Sequence, residues 1–386
     1  RAVHPWVYGE EVTAVEGAYQ NGDMVDVVSN KGRYLGTGWV NDHSKIRVRI
    51  ISRNANDTFD EAFFRRRVCY ALNYRKTVMG PVDYRCCRLI FGEADQFPGL
   101  TVDRFENILV TQVLSLGMER RKDWVYRALV ELLREDDEQI DERNDVAIRT
   151  LEGLEQGKGF YQMEGLKTDL SGHVTITENG IKYDVDYIEG QKTGFFLDQK
   201  YNRQAAAKLA RGRRVLDCFT HTGAFALNAA AAGAEHVTAV DVSAFALELA
   251  AENGKRNGLT NLDYKCADVF DLLTEMAKEK KCDYDYIILD PPAFTKSRAT
   301  AKNAYHGYKE INRKAMRLLP RGGYLGTCSC SHFMTDEMFR KMLQEAALDA
   351  GVTLRQIEAR QQAPDHPILP EVPETDYLKF YLLQVV

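Results

Sequence analysis

The stretch Arg213-Arg-Val-Leu-Asp-Cys-Phe-Thr-His-Thr-Gly-Ala-Phe225 decides how the chain is read. Arg214 to Asp217 form a short, mostly apolar strand that ends in a carboxylate. Small and polar residues follow, and a helical pattern runs from about Ala224 to Ala232. Strand, tight glycine-bearing turn and helix are the opening unit of a doubly wound α/β sheet. Ligands in such folds sit beyond the carboxyl ends of the strands, so Asp217 is aimed at a pocket. A pyrophosphate-binding turn needs several glycines so that backbone can close on phosphates, and this turn keeps only Gly223. The spacing therefore favours a nucleoside-type ligand without phosphates over a dinucleotide.

Working outward, Glu235 to Asp241 give a second strand ending in an acid, suited to accept hydrogen bonds from a ribose diol. Asp268 follows an apparent third strand, Leu262 to Cys266, and Asp290-Pro-Pro-Ala-Phe294 closes a fourth, Tyr284 to Leu289. Acidic strand ends are common in α/β domains. Three in order, followed by a stiff Asp-Pro-Pro loop, point to a ligand site, because consecutive prolines lack backbone donors and fix the loop. Such a loop would hold Asp290 against a planar, amino-bearing substrate. The fifth strand begins at Gly322 to Gly326 and ends in Thr327-Cys-Ser-Cys-Ser-His332. A thiolate is the best side-chain nucleophile near neutral pH. Strand-end cysteines are also ordinary small buried residues, and Cys328 and Cys330 start on one face by period two. Cys330 lies nearer the carboxyl end, where the pocket opens, and Cys328 deeper. Cys-x-Cys without a partner pair supplies too few ligands for a metal. Leu354 to Glu358 and Tyr377 to Leu383 supply the last strands, expected to pair antiparallel.

Upstream, residues 1 to about 54 read as short β runs (Glu11 to Val15, Met24 to Val28, Tyr34 to Val40, Ile46 to Arg53) punctuated by turns. Lys45, Arg47 and Arg49 share one strand face, which suits either phosphates or solvent. Thr58 to Val78 reads as a helix capped by Asp57 or Thr58. Residues 61 to 90 hold seven Lys/Arg against two Asp/Glu, a local excess that suits a nucleic-acid backbone or a solvated face with ion pairs. Cys87 to Phe91, Leu100 to Arg104 and Ile108 to Leu114 are strands. Met118 to Arg134 is a helix, with Trp124 in its core stripe, and Gln139 to Arg143 is a closing strand. Glu152 to Gly159 reads as a flexible connector. Val174 to Thr177 and Lys182 to Asp186 form a hairpin around Asn179-Gly180. Gln191 to Gln199, with its aromatic pair and Asp198, precedes a helix from Gln199 to Leu209 and sits where it could close over a ligand.

The 386 residues carry a formal charge of -5 and a mean hydropathy of -0.38. Global charge does not announce a nucleic-acid binder, and no apolar run reaches transmembrane length. The chain opens on Arg1, which points to further N-terminal sequence. Eight cysteines form no Cys-x-x-Cys pair or disulfide framework and read as free thiols in a reducing cytoplasm.

Taken together, His4-Pro-Trp6, Phe91-Gly-Glu-Ala-Asp95, Pro98-Gly-Leu100, Val102-Asp-Arg104, Lys192-Thr-Gly-Phe-Phe-Leu-Asp-Gln199, Asp217-Cys-Phe-Thr-His-Thr-Gly223, Asp290-Pro-Pro-Ala-Phe294, Ser329-Cys-Ser331 and Ala363-Pro-Asp-His-Pro367 carry a family pattern. Residues 189–386 resemble the class I S-adenosylmethionine-dependent methyltransferases. Nearly the whole chain resembles the RlmI-type (YccW-like) large-subunit ribosomal RNA cytosine-5 methyltransferases. The resemblance implies an α/β fold: a PUA-like β domain (1–55), a small central α+β domain (56–188) and a Rossmann-like methyltransferase domain (189–386). It implies S-adenosylmethionine as cofactor, with Phe196, Asp198, Asp217, Phe219, Thr220, Gly223, Asp241, Asp268 and Asp290 around it. It makes Cys330 the nucleophile and Asp290 the acid facing the target base, with no metal. The implied partner is RNA, ribosomal by the family, with no membrane, and a homodimer is among the expected assemblies. Ala293 and His332 depart from the pattern, where a Lys and a small residue are frequent. The competing readings are an amino-group methyltransferase using the Asp-Pro-Pro loop, a non-catalytic RNA-binding protein and a nicotinamide-dependent dehydrogenase.

Overall fold

The computed structural model describes residues 4–133, 139–168, 171–279, 282–294 and 298–386. They fall into two compact units. Unit 1 comprises residues up to Ile176 with Val185–Leu197 and Pro364–Thr375, and unit 2 comprises Thr177–Asp184, Asp198–Ala363 and Asp376–Val386. Residues 189–197 and 364–375, expected with the C-terminal domain, thus pack in unit 1.

Unit 1 holds two sheets. The first is antiparallel, with β1 (Trp6–Tyr8), β2 (Met24–Val28), β3 (Tyr34–Val40) and β4 (Ile46–Ser52) in the order β1-β4-β3-β2. The strand expected over Glu11 to Val15 is absent. The segment is largely exposed, and Glu11 instead turns back to accept a hydrogen bond from the Tyr8 N–H at 2.9 Å. Helix α1 (Glu61–Val78) starts later than expected, because Asp60 is its cap and accepts from the Phe63 N–H at 2.9 Å. Asp57 is occupied by the Ser52 hydroxyl at 2.6 Å. The second sheet contains β5 (Cys86–Phe91), β6 (Leu100–Phe105), β7 (Ile108–Val113), β8 (Gln139–Arg143) and β9 (Lys158–Phe160) in sequence order. The expected single helix is two, α2 (Leu116–Glu119) and α3 (Lys122–Leu133), and Arg134 lies outside the described residues. Trp124 packs on Phe64, with ring centroids 5.7 Å apart. The connector expected to be flexible is tied down: β9 pairs with β8, and buried Glu152 accepts from Arg49 at 2.8 Å and from Asn41 at 3.0 Å.

The basic excess of this unit is largely consumed internally. Arg75 is fully buried and bonds Asp95 through both terminal nitrogens, at 2.5 and 2.7 Å. Arg88 forks onto buried Asp103 at 2.7 and 2.9 Å. Arg65 pairs with Glu131 and Arg85 with Glu106. On β4, Arg47 pairs with Asp42, and Arg49 with Glu93 and Glu152.

The hairpin β10 (His173–Glu178) and β11 (Ile181–Asp186) turns as expected on Asn179 and Gly180, both at positive φ (53° and 78°). Unit 2 is then a three-layer α/β body. Its strands are β12 (Arg214–Cys218), β13 (His236–Asp241), β14 (Leu262–Cys266), β15 (Tyr286–Leu289), β16 (Tyr324–Ser329), β17 (Leu354–Arg360) and β18 (Lys379–Val385). The order β14-β13-β12-β15-β16-β18-β17 is parallel through β16, with β18 antiparallel to both its neighbours. Alternation along each strand serves two faces. Val215, Ile288 and Cys328 pack with α4 (Lys200–Ala207) and α5 (Ala224–Ala231). Leu216, Leu289 and Leu325 pack with α7 (Val269–Glu279), α8 (Ala301–Leu318) and α9 (Asp336–Ala350), and α6 (Ala244–Arg256) links β13 to β14. A sheet covered on both faces explains the unbroken apolar run Tyr286-Ile-Ile-Leu289, every residue of which is fully buried. Strand order reverses between β12 and β15, the switch point at which doubly wound folds bind ligands.

Candidate active site

The candidate site residues Asp217, Asp241, Asp268, Asp290 and Cys330 lie in or just after the carboxyl ends of the parallel strands. At the switch point Asp217 is the penultimate residue of β12, and Cys218, its last, lies opposite Leu289, one residue before Asp290. The chain leaves β12 through a turn in which Phe219 (φ 63°), His221 (φ 51°) and Gly223 (φ 86°) are all left-handed. Non-glycine residues there cost of order 1–3 kcal/mol each, strain that persists only where the surroundings over-determine it. Two bonds fix this turn: Thr220 N–H to Val240 carbonyl and His221 N–H to Asp241 Oδ2, both 2.9 Å. Gly223 is obligatory for space as well as for φ, since a Cβ there would stand 2.5 Å from Leu227 Cδ1. The turn therefore keeps backbone close to the sheet end.

Asp217 is fully buried. Its Oδ2 accepts from the Thr220 hydroxyl at 2.5 Å, while Oδ1 has no hydrogen-bond partner of good geometry. Burial pushes its pKa up to about 7, the Thr220 bond opposes this, and neighbouring Asp290 adds to it. An orphaned, buried carboxylate oxygen costs free energy unless something supplies a donor or a positive charge. S-adenosylmethionine carries both, in its ammonium and its sulfonium, so these residues fit that cofactor.

Asp241 accepts from the His221 and Ser243 N–H groups, at 2.9 Å each, which orients its carboxylate at the end of β13. Asp268 is exposed and accepts from the Asp271 N–H at 3.1 Å at the start of α7, a capping duty that sequence reasoning did not assign. Asp198 accepts from the Tyr377 hydroxyl at 2.6 Å. Phe196 belongs to unit 1, where the Lys192 ammonium stands 4.6 Å over its ring.

Asp290 and the two cysteines close the arrangement. Cys328 is fully buried on β16. Its thiol donates to Asp290 Oδ1 at 3.0 Å, and the thiol pKa is raised well above the ordinary value by burial and by the adjacent carboxylate. Asp290 Oδ1 also accepts from Gln199 Nε2 at 3.2 Å, and burial raises the Asp290 pKa. Gln199 is itself aimed by Asn202, whose amide reaches its Oε1 at 2.7 Å. Cys330 follows the end of β16 and is partly exposed. Two residues escaped the sequence reading: Gln199, whose only signal was its place after Asp198, and Lys379, a lone charge in the apolar run Tyr377 to Leu383.

Comparison with known proteins agrees with this geometry. Residues 161–383 match the family of S-adenosylmethionine-dependent methyltransferases, and residues 1–53 match a PUA-like domain. The chain is 41% identical over 387 residues to ribosomal RNA large subunit methyltransferase I of Alteromonas mediterranea, covering 100% of this chain and 96% of that one. The Aeromonas salmonicida protein of the same name is 42% identical, with 97% and 94% covered. In fold, the crystal structure of SMU.776 complexed with SAH aligns at a TM-score of 0.84 and 21% identity, covering 100% of this chain and 96% of that one. Fold and site define a class I methyltransferase whose cofactor is S-adenosylmethionine. More particularly, the chain belongs to the ribosomal RNA large subunit methyltransferase I family.

Proposed function

We propose that the protein methylates C5 of a cytidine in large-subunit (23S) ribosomal RNA through a covalent adduct of Cys330 at C6. Family membership supports the substrate class. The observation that supports the chemistry is the contrast between the two strand-end thiols: Cys328 is buried, hydrogen-bonded to Asp290 and its pKa is raised, whereas Cys330 stands partly exposed where the sheet ends.

In this reading the target base is turned out of its stack to reach the sheet end. The Cys330 thiolate adds to C6, and the ring's electron density builds at C5 and N3. Asp290, whose pKa burial raises, hydrogen-bonds the ring at N3 and offsets that charge. Bound S-adenosylmethionine supplies an electrophilic methyl group for C5. Loss of the C5 proton and departure of Cys330 then restore the ring. Asp217 and Asp198 orient the cofactor's methionine end, Asp241 its ribose, and Asp268 lies toward the adenine, with Phe219, Thr220 and Gly223 shaping the turn beneath. Phe196 is assigned to the cofactor by family resemblance alone.

Mass mapping of RNA treated with the protein tests the reaction: 5-methylcytidine is expected, and a methyl on an exocyclic amine would select the amino-group alternative. Cys330→Ala should lower methyl transfer by ~10^3-fold or more, as removal of a nucleophile does. Cys328→Ala should stay active, with a stability loss of about 1 kcal/mol from the small cavity. Trapping on RNA carrying 5-fluorocytidine should follow the same pattern, and an adduct formed by Cys330→Ala but not by Cys328→Ala reverses the assignment. No described helix is long and apolar enough to cross a membrane. A reducing cytoplasm is part of the proposal, supported by eight cysteines that are all free. So is a homodimer, which sedimentation equilibrium reads directly.

A further inference from the structure

Lys379 opens β18 opposite Ser329, the last residue of β16, and is only 4% exposed. By alternation its stem lies with Tyr381 and Leu383 on the α7–α9 face, and its head reaches the sheet end. There Nζ donates to the Ser331 carbonyl at 2.5 Å and to the Tyr377 carbonyl at 2.8 Å. Those carbonyls flank the nucleophile's own strand end and fix the nitrogen in place. Burial of an ammonium without a tight carboxylate partner is costly, and it lowers the Lys379 pKa to about 8. The charged form is favoured by four groups facing it: Cys330 most strongly, then Asp376, Asp336 and Cys328. Asp336 is already engaged by the Tyr381 hydroxyl, and Asp376 by the Gln361 amide. The Cys328 thiol is spent on Asp290. Of the four, Cys330 is the group whose charge most favours the buried cation.

Resting on the reading that Cys330 is the nucleophile, we propose that Lys379 is the positioning residue that holds Cys330 as a thiolate, through a buried ammonium tethered to the Ser331 and Tyr377 carbonyls. The thiol proton leaves to water, and the resulting ion pair is internal to the strand ends. The stabilised thiolate is poised to add to C6, while Lys379 itself touches neither base nor cofactor.

The test is the pH dependence of iodoacetamide alkylation at Cys330, followed by peptide mass spectrometry on the full chain without RNA. In the wild type the alkylation midpoint should lie below the ordinary thiol value of about 8.5. Lys379→Met should raise it by at least one unit, slowing alkylation at pH 7 by ~10-fold. Lys379→Arg should largely restore it. Lys379→Gln keeps donors for the carbonyls without the charge, so it should behave as Lys379→Met and covers the case in which the Met variant does not fold. A midpoint unchanged in a folded Met or Gln variant, or an ordinary midpoint in the wild type, overturns the proposal. The assay needs neither RNA nor methyl transfer. If Cys330→Ala retained full methyl transfer, the nucleophile reading would fall while the alkylation profile still reported the coupling of the two residues.

Discussion

Unit 1 and the sheet end of unit 2 treat charge in opposite ways. In unit 1 several little-exposed cations are paired with carboxylates: Arg75 with Asp95, Arg88 with Asp103, Arg49 with Glu93 and Glu152. At the carboxyl end of the parallel strands, Asp217, Asp241 and Asp290 converge, and none of them has an ion pair among the described residues. Paired charge inside a fold is structure, because each partner offsets the desolvation of the other. Asp290 and Asp241 raise the pKa of fully buried Asp217 beyond the effect of burial itself, and a donor from outside would offset that cost. The basic segment that suggested RNA contacts belongs to the first category for Arg75 and Arg88, whereas Arg66 on α1 remains exposed.

The largest effect expected from this contrast is in unit 1. Arg75→Ala leaves Asp95 buried beside no cation and should cost about 3–5 kcal/mol in urea denaturation of the full chain. A loss near zero would mean that the pair is not structural. Next comes Asp217. Its pKa is raised in the folded protein, so the stability it contributes is fully present below the unfolded value near 3.9 and is lost as pH rises through about 7. A bound cationic cofactor favours the ionised form, so S-adenosylmethionine affinity should fall by up to ~10-fold per unit as pH drops below about 7. Calorimetric titration between pH 6 and 8 should show this slope in the wild type and a flat profile in Asp217→Asn. A flat wild-type profile would place the cofactor's charge elsewhere. The smallest effect is at Arg65, whose pair with Glu131 is exposed. Arg65→Ala should leave the melting temperature unchanged within error, and a clear drop would mean that even unit 1's surface pairs are structural.

The βα alternation of unit 2 was legible because strands covered on both faces leave near-continuous apolar runs, and because each ends in a residue that cannot be buried cheaply: Asp217, Asp241, Asp290. The choice of Cys330 over Cys328 followed from depth along one strand. What stayed hidden depended on contacts distant in sequence. Gln199 matters because it meets Asp290 and Cys328, and Lys379 because β18 inserts beside β16. Neither neighbour can be read from local periodicity. The start of α1 was missed for a nearer reason: Asp57, Thr58 and Asp60 are all competent caps, and it is Asp60 that accepts from the Phe63 N–H while Asp57 is taken by Ser52.

The connectivity of the two units has a consequence for anyone who cuts the gene. Unit 1 recruits Pro364–Thr375, so Asp365 arrives almost 300 residues after the arginines it serves, accepting from the Arg88 N–H and, through its carbonyl, from Arg75. A fragment ending near residue 188 therefore lacks part of its own interior. During translation the N-terminal half waits, incomplete, for the ribosome to deliver that segment, and a truncated message yields an exposed Arg75–Asp95 core rather than a free-standing RNA-binding module.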